Sequence, residues 1–223
     1  MRHRALAVCT ALLLIAVSGA TAATRVEKIR NERVLVTEES LPSGETAPLA
    51  GSRPAMLVFM ADGRAELTSA HGKAHKEAVK EGETVFEPAE AGTIRNAGSS
   101  SLHLVRIEFL AAGSQEIWGM SGLSPNYKIL LENHYARAYY IRIPAQTFEP
   151  QHTHHDRVVV CLSGAQLEHI LPDGEKQPST LETGEVVWRL GATHIGHNMG
   201  RTDLWVIAIE PKWAGTRKAP TRR

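Results

Sequence analysis

Short apolar runs, rich in Val, Ile, Tyr and Leu, recur along the chain between breaks of Gly, Pro and Asp. Toward the C-terminus they read "ARAYYIRI", a turn at "PAQTFEP", "RVVVCL", a turn at Ser163-Gly164, "AQLEHIL", a turn at "PDGEK", then "STLE", "GEVVWRL" and "LWVIAIE". Evenly spaced short strands with turn signals predict an all-β sandwich or barrel. One stretch, "GKAHKEAVKEG", has the composition of a helix.

Sliding the chain by 102 positions settles that stretch and divides the rest. Asn31 falls on Asn133, Pro42 on Pro144, Gly72 on Gly174, Gly82 on Gly184, Asn96 on Asn198 and Gly98 on Gly200. "GETVF" lies over "GEVVW", and Ile107-Glu108 over Ile209-Glu210. The chain reads as two copies of one module. The N-terminal module is assigned to 23–110, a linker to 111–132, the C-terminal module to 133–211 and a basic tail to 212–223. "GKAHKEAVKEG" falls on "GEKQPSTLETG", where Pro178 opposes a helix, so a strand is expected there.

The first 22 residues stand apart. A basic "MRHR", the apolar run "ALAVCTALLLIAV" and Ala20-Thr21-Ala22 form a secretory signal peptide, cleaved after Ala22, which implies a periplasmic or secreted protein. No later apolar run is long enough to span a bilayer, so no membrane association is expected after cleavage. Removing Arg2 and Arg4 leaves 23 Lys and Arg against 24 Asp and Glu, a net charge of −1. No basic stripe with interleaved aromatics is present, which excludes nucleic acid as a partner. Cys9 leaves with the signal, and Cys161 inside "VVVCL" reads as a buried structural thiol.

The chemistry concentrates in "QHTHHDRVVVCLSG", residues 151–164. Alternation along a strand puts His152 and His154 on one face and His155 on the other. His194, in "GEVVWRLGATHIGHN", supplies a third imidazole from across a closed barrel. Three neutral imidazoles suit a divalent transition metal (Fe, Mn, Zn, Cu or Ni), with positions left for water or substrate. A polar cluster without metal is the alternative. No G-x-S-x-G, Walker loop or dinucleotide fingerprint occurs.

These two stretches resemble the paired motifs of the cupin superfamily, H-x-H-x3/4-E-x6-G and G-x5-P-x-G-x2-H-x3-N. His152, His154 and Gly164 match the first; Gly184, Gly191, His194 and Asn198 match the second. The resemblance implies a bicupin, two tandem jelly-roll barrels, with metal ligands His152, His154 and His194. Two positions depart from the pattern. Val158 stands four residues after His154, on the expected ligand face in place of the glutamate, and Leu190 stands in place of the proline. The site is then either a three-histidine centre or one that has lost its chemistry, with His155 or His197 able to add a fourth ligand if the strand bulges.

In the first module, the 102-residue offset sets Ala50, Ser52 and Gly92 at the ligand positions, so that module is expected to be structural or dimerising, with a homo-oligomer possible. His71 and His75 are expected at the surface of a hairpin. Candidates for acid-base work are His197 and Tyr140. Arg142 shares a face with Tyr140 and is either a surface residue or a carboxylate anchor. Trp188 and Trp205 are expected in the core. The function expected is a metal-dependent oxidoreductase, dioxygenase or isomerase acting on a small organic molecule. The alternatives are a non-catalytic small-molecule or carbohydrate-binding protein, or a structural protein with a decayed site.

Overall fold

Eighteen strands and no helix are found among the described residues of the computed structural model. It describes residues 22–213 apart from 50–52, 70, 73 and 91, and leaves out the side chains of 75–77. The signal peptide, the end of the tail, Ala50, Ser52 and the His75 side chain therefore lie outside the described residues.

The first nine strands are β1 (Thr24–Arg30), β2 (Val34–Leu41), β3 (Thr46–Pro48), β4 (Ala55–Phe59), β5 (Gly63–Thr68), β6 (Ala74–Val79), β7 (Thr84–Glu87), β8 (Thr93–Asn96) and β9 (Leu102–Phe109). They form a five-stranded sheet, ordered β1-β2-β9-β4-β7, and a four-stranded sheet, β3-β8-β5-β6. The next nine are β10 (Lys128–Glu132), β11 (Ala136–Ile143), β12 (His152–His154), β13 (Arg157–Ser163), β14 (Ala165–Ile170), β15 (Lys176–Leu181), β16 (Val186–Arg189), β17 (Ala192–Asn198) and β18 (Leu204–Pro211). They repeat the arrangement as β10-β11-β18-β13-β16 and β12-β17-β14-β15. The segment "GKAHKEAVKEG" contains β6, a strand, and the hairpin of β5 and β6 carries an exposed His71 at its tip.

Adding 102 to the bounds of β2, β5, β6, β7 and β9 gives those of β11, β14, β15, β16 and β18. The repeat departs furthest at two places. β12 lies further along than the counterpart of β3, and β17 begins earlier than the counterpart of β8. These two strands carry the histidines. The edge strand β10 falls inside the stretch expected to be linker and pairs with β11.

In each half the two sheets face each other across an apolar core rather than closing into a continuous barrel. Leu57, Phe59, Ile94 and Leu104 fill one core; Tyr139, Val159, Cys161 and Val206 fill the other. A third core lies between the halves, where Val36, Met56 and Ile107 of one five-stranded sheet meet Ala138, Val158 and Ile209 of the other. The five-stranded sheets are therefore apolar on both faces. This explains why "AMLVF" and "RVVVCL" run apolar without alternation: β4 and β13 are covered from both sides. Trp188 and Trp205 pack half-buried against the shared core. Cys161 is fully buried, and burial pushes its thiol up to about 11, in keeping with a structural role.

Candidate metal centre

Antiparallel pairing of β12 with β17 sets His152 directly opposite His194 and His154 opposite Ala192. His152 and His154 share a face by alternation, and all three rings are buried. Thr153 and Thr193 take the other face, their hydroxyl oxygens 2.8 Å apart. His194 thus comes from the adjoining strand of the same sheet, not from across a barrel as expected. One ring nitrogen from each histidine lies within 4.8 Å of the others.

The remaining ring nitrogens fix the tautomers. His152 Nδ1 lies 2.8 Å from the Pro150 carbonyl, an acceptor only, so the proton is on Nδ1 and Nε2 carries a lone pair. The Tyr139 hydroxyl donates to Glu210 Oε1 at 2.9 Å and accepts from His154 Nδ1 at 2.8 Å, which again leaves Nε2 unprotonated. The two Nε2 atoms are 3.0 Å apart. Two lone pairs at that separation repel unless a cation lies against both. Carbonyl and carboxylate partners on the far nitrogen are what orient metal-binding imidazoles.

Three further groups complete the site, none of them anticipated from sequence. His169, inward on β14 with Ala165 and Leu167, places its ring centroid 4.5 Å from that of His194. Alternation along "AQLEHIL", the rule that pairs His152 with His154, was the available signal. Tyr127 reaches in from the segment between the halves, its hydroxyl 3.1 Å from His152 Nε2. Glu149, buried in the turn before β12, sets Oε2 4.0 Å from His152 Nε2, while Oε1 has no hydrogen-bond partner. A Cβ on Gly196 would collide with the Glu149 carboxylate, so that glycine makes room for the acid.

Of the other expectations, those for Val158, Tyr140 and His197 are corrected and those for His155 and Arg142 hold. Val158 packs into the core between the halves and is not on the ligand face. The neighbours that line the cavity beside the histidines are Arg157 and Val159. Counting back from Gly164 through the motif's x6 spacing reaches Arg157, so an arginine stands where that spacing puts the carboxylate. Tyr140 faces the core between the halves, its ring 6.0 Å from Trp205, and Tyr139 is the tyrosine at the site. His197 lies on the β17 face opposite His194, stacked on Phe148 at 3.7 Å with Nδ1 3.8 Å from Glu168. His155 turns away, as alternation requires, and meets Trp118 edge-on while its backbone N–H donates to Glu210. Arg142 is exposed and pairs with Asp203 at 3.1 Å, a surface arginine. In the first half Gly92 leaves its ligand position without a side chain.

Burial holds the imidazoles neutral, the state a metal needs. It brings His194 down to about 3 and His169 to about 4, and lowers His152 and His154 as well. This sets the acid stability of the metal-free protein. Unfolded histidines take protons near pH 6.5, whereas the folded ones resist down to about pH 4 for His169. Through that window the unfolded chain binds more protons, so stability rises with pH and falls on acidification. Glu149, raised by burial to about 7, works the opposite way, but it is one group against four. In chelator, the melting temperature is expected to fall by several degrees between about pH 7 and pH 5, and His169→Gln to flatten that slope. A pH-independent melting curve would contradict the neutral cluster.

No family model and no curated protein sequence matches the chain. Solved structures do. AerE from Microcystis aeruginosa is similar at 13% identity and TM-score 0.62, over 87% of this chain and 95% of that one. A cupin 2 conserved barrel domain protein from Leptotrichia buccalis is similar at 12% identity and TM-score 0.57, over 85% of this chain and 89% of that one. The chain has the cupin fold. Oxalate decarboxylase of Bacillus subtilis, for which Mn(II) centres are described, shares the cupin fold at 11% identity and TM-score 0.58, over 87% of this chain and 74% of that one. At these identities the likeness carries architecture, and the argument for chemistry rests on the site itself.

Proposed function

We propose that the chain is an exported bicupin whose C-terminal module holds a divalent transition metal on His152, His154 and His194 and acts with it on a small organic molecule. The observation that carries this reading is the pair of Nε2 lone pairs, 3.0 Å apart, each fixed by a partner on the opposite ring nitrogen. The Mn(II) centres of the oxalate decarboxylase neighbour support a divalent ion on this fold. The leader supports export, and the paired sheets repeating at 102 residues support two modules, the first without a metal.

When bound, such an ion supplies Lewis-acid polarisation, and one-electron chemistry if it is Mn, Fe or Cu. The chain's residues do the rest. Pro150 and the Tyr139–Glu210 pair hold the imidazoles in their ligating tautomer. Glu149 sets its Oε2 4.0 Å from the ligating nitrogen His152 Nε2 and fits either as a further ligand or as the group that takes a proton at Oε2. Burial keeps the Tyr127 and Tyr139 phenols protonated.

The mature protein, stripped with chelator and repleted in turn with Mn(II), Fe(II) and Zn(II), is expected to retain about one equivalent of at least one of them by elemental mass spectrometry. Retention below a tenth of an equivalent of every ion would overturn the metal reading. It would leave a non-catalytic binding module in its place.

A further inference from the structure

Among the described residues the other buried arginines are neutralised. Arg106 forks onto Glu39 at 2.7 and 3.0 Å, and Arg137 onto Glu210. Arg157 is the exception. It is only 8% exposed, yet among the described residues no carboxylate pairs with it. Its Nη1 makes two long contacts, 3.4 Å to the His155 carbonyl and 3.3 Å to that of Leu190, and its Nε has no partner. A guanidinium taken out of water without a counter-charge is costly, so a position that keeps one calls for an anion from outside.

Its neighbour sharpens the point. Arg157 is the cross-strand partner of Arg189 in the β13–β16 ladder, and both line the cavity beside the histidines. Arg189 makes one long bond, 3.3 Å to the Ser179 hydroxyl. Like charges directly opposite on a ladder repel, and an anion beside them turns that repulsion into attraction. Glu149, the one carboxylate among the lining residues, forms no ion pair with either arginine.

Ile141, Ile143, Val159, Leu167 and Val206 give the cavity an apolar wall, alongside the polar groups of Tyr127, His169, Ser179 and His197. Its volume is about 50 Å3, room for a molecule of a few non-hydrogen atoms and too little for a sugar ring. His154 and His194 line the same space.

We infer that the site takes a small carboxylic acid, its carboxylate held by Arg157 with Arg189 beside it and its short apolar chain against Ile141, Val159 and Leu167. Arginine suits this role because its planar fork matches both carboxylate oxygens. The inference deepens the proposed function by naming the class of organic molecule. It rests on the reading of this cavity as a small-molecule site, and it is testable apart from the metal.

The test is calorimetric titration at constant ionic strength with propionate and its neutral isostere propionamide. It is run on metal-free and metal-loaded protein, with metal content measured alongside. A ligand this small binds with a Kd on the order of millimolar. Propionate is expected to bind at least tenfold more tightly than propionamide. Arg157→Gln is expected to weaken propionate at least tenfold without changing propionamide or metal content. Arg157→Lys, which keeps the charge and loses the fork, is expected to fall between. Equal affinity for the two ligands in the wild-type protein, or undiminished propionate binding by Arg157→Gln, would overturn the inference. Should Arg157→Gln fail to fold, the wild-type comparison and Arg189→Gln decide it. A protein that prefers propionate but takes up no metal loses the metal reading alone; one that takes up metal but treats both ligands alike loses the acid reading alone.

Discussion

Replacing His154 by alanine is expected to cost the protein its proposed metal, with affinity falling by more than about 100-fold. That exceeds the 10–100-fold loss typical of changes to groups that only orient a ligand. The ring is buried between its two neighbours, with His152 Nε2 at 3.0 Å on one side and the Tyr139 hydroxyl at 2.8 Å on the other. Its neighbour His155 cannot swing into its place, because it faces the opposite side of the strand against Trp118. Two companions divide the effect. Tyr139→Phe removes the hydroxyl that fixes the His154 tautomer but leaves the ring, and is expected to weaken metal binding about 10–100-fold. His155→Ala is expected to leave it unchanged. Competition against a metal-sensitive dye measures all three. Equal losses from His154→Ala and His155→Ala would mean that the geometry of β12 does not define the donor set.

The fold was legible because its signals are local or periodic. "ARAYYIRI" alternates, and the structure makes Tyr139 and Ile141 face one core while Tyr140 and Arg142 face the other way. The 102-residue repeat reproduces the strand bounds of most of the second half from the first. His152 and His154 were legible for the same reason, being two apart on a strand. Alternation was silent for β13, which is apolar on both faces, and so Val158 was assigned to the wrong one. Counting from Gly164 would have selected Arg157 instead. Glu149 and Tyr127 carried no signal of their own. One lies in a turn and the other between the halves, and each reaches His152 only through the folded chain.

Glu210→Leu is expected to destabilise the protein more than any change at its surface. The carboxylate is fully buried and accepts from the Arg137 guanidinium, from the Tyr139 hydroxyl at 2.9 Å and from the His155 backbone N–H at 2.9 Å. Arg137, equally buried, also donates to the carbonyls of Gly119 at 2.7 Å and Ser121 at 3.0 Å, and so ties the segment between the halves to the second sheet pair. Removing one partner of such a pair leaves an uncompensated charge in the core, a loss of about 3–5 kcal/mol. For a chain of this size that is a fall of roughly 6–20 °C in melting temperature. Adding Arg137→Met to Glu210→Leu is expected to restore much of the loss, because two apolar side chains of similar bulk need no counter-charge. Arg142→Ala, which breaks the exposed pair with Asp203, is expected to change stability by less than about 1 kcal/mol. Thermal denaturation of the three variants measures the difference. A Glu210→Leu protein as stable as Arg142→Ala would show that the buried carboxylate neither neutralises Arg137 nor anchors Tyr139. The support assigned to His154 would then have to come from elsewhere in the site.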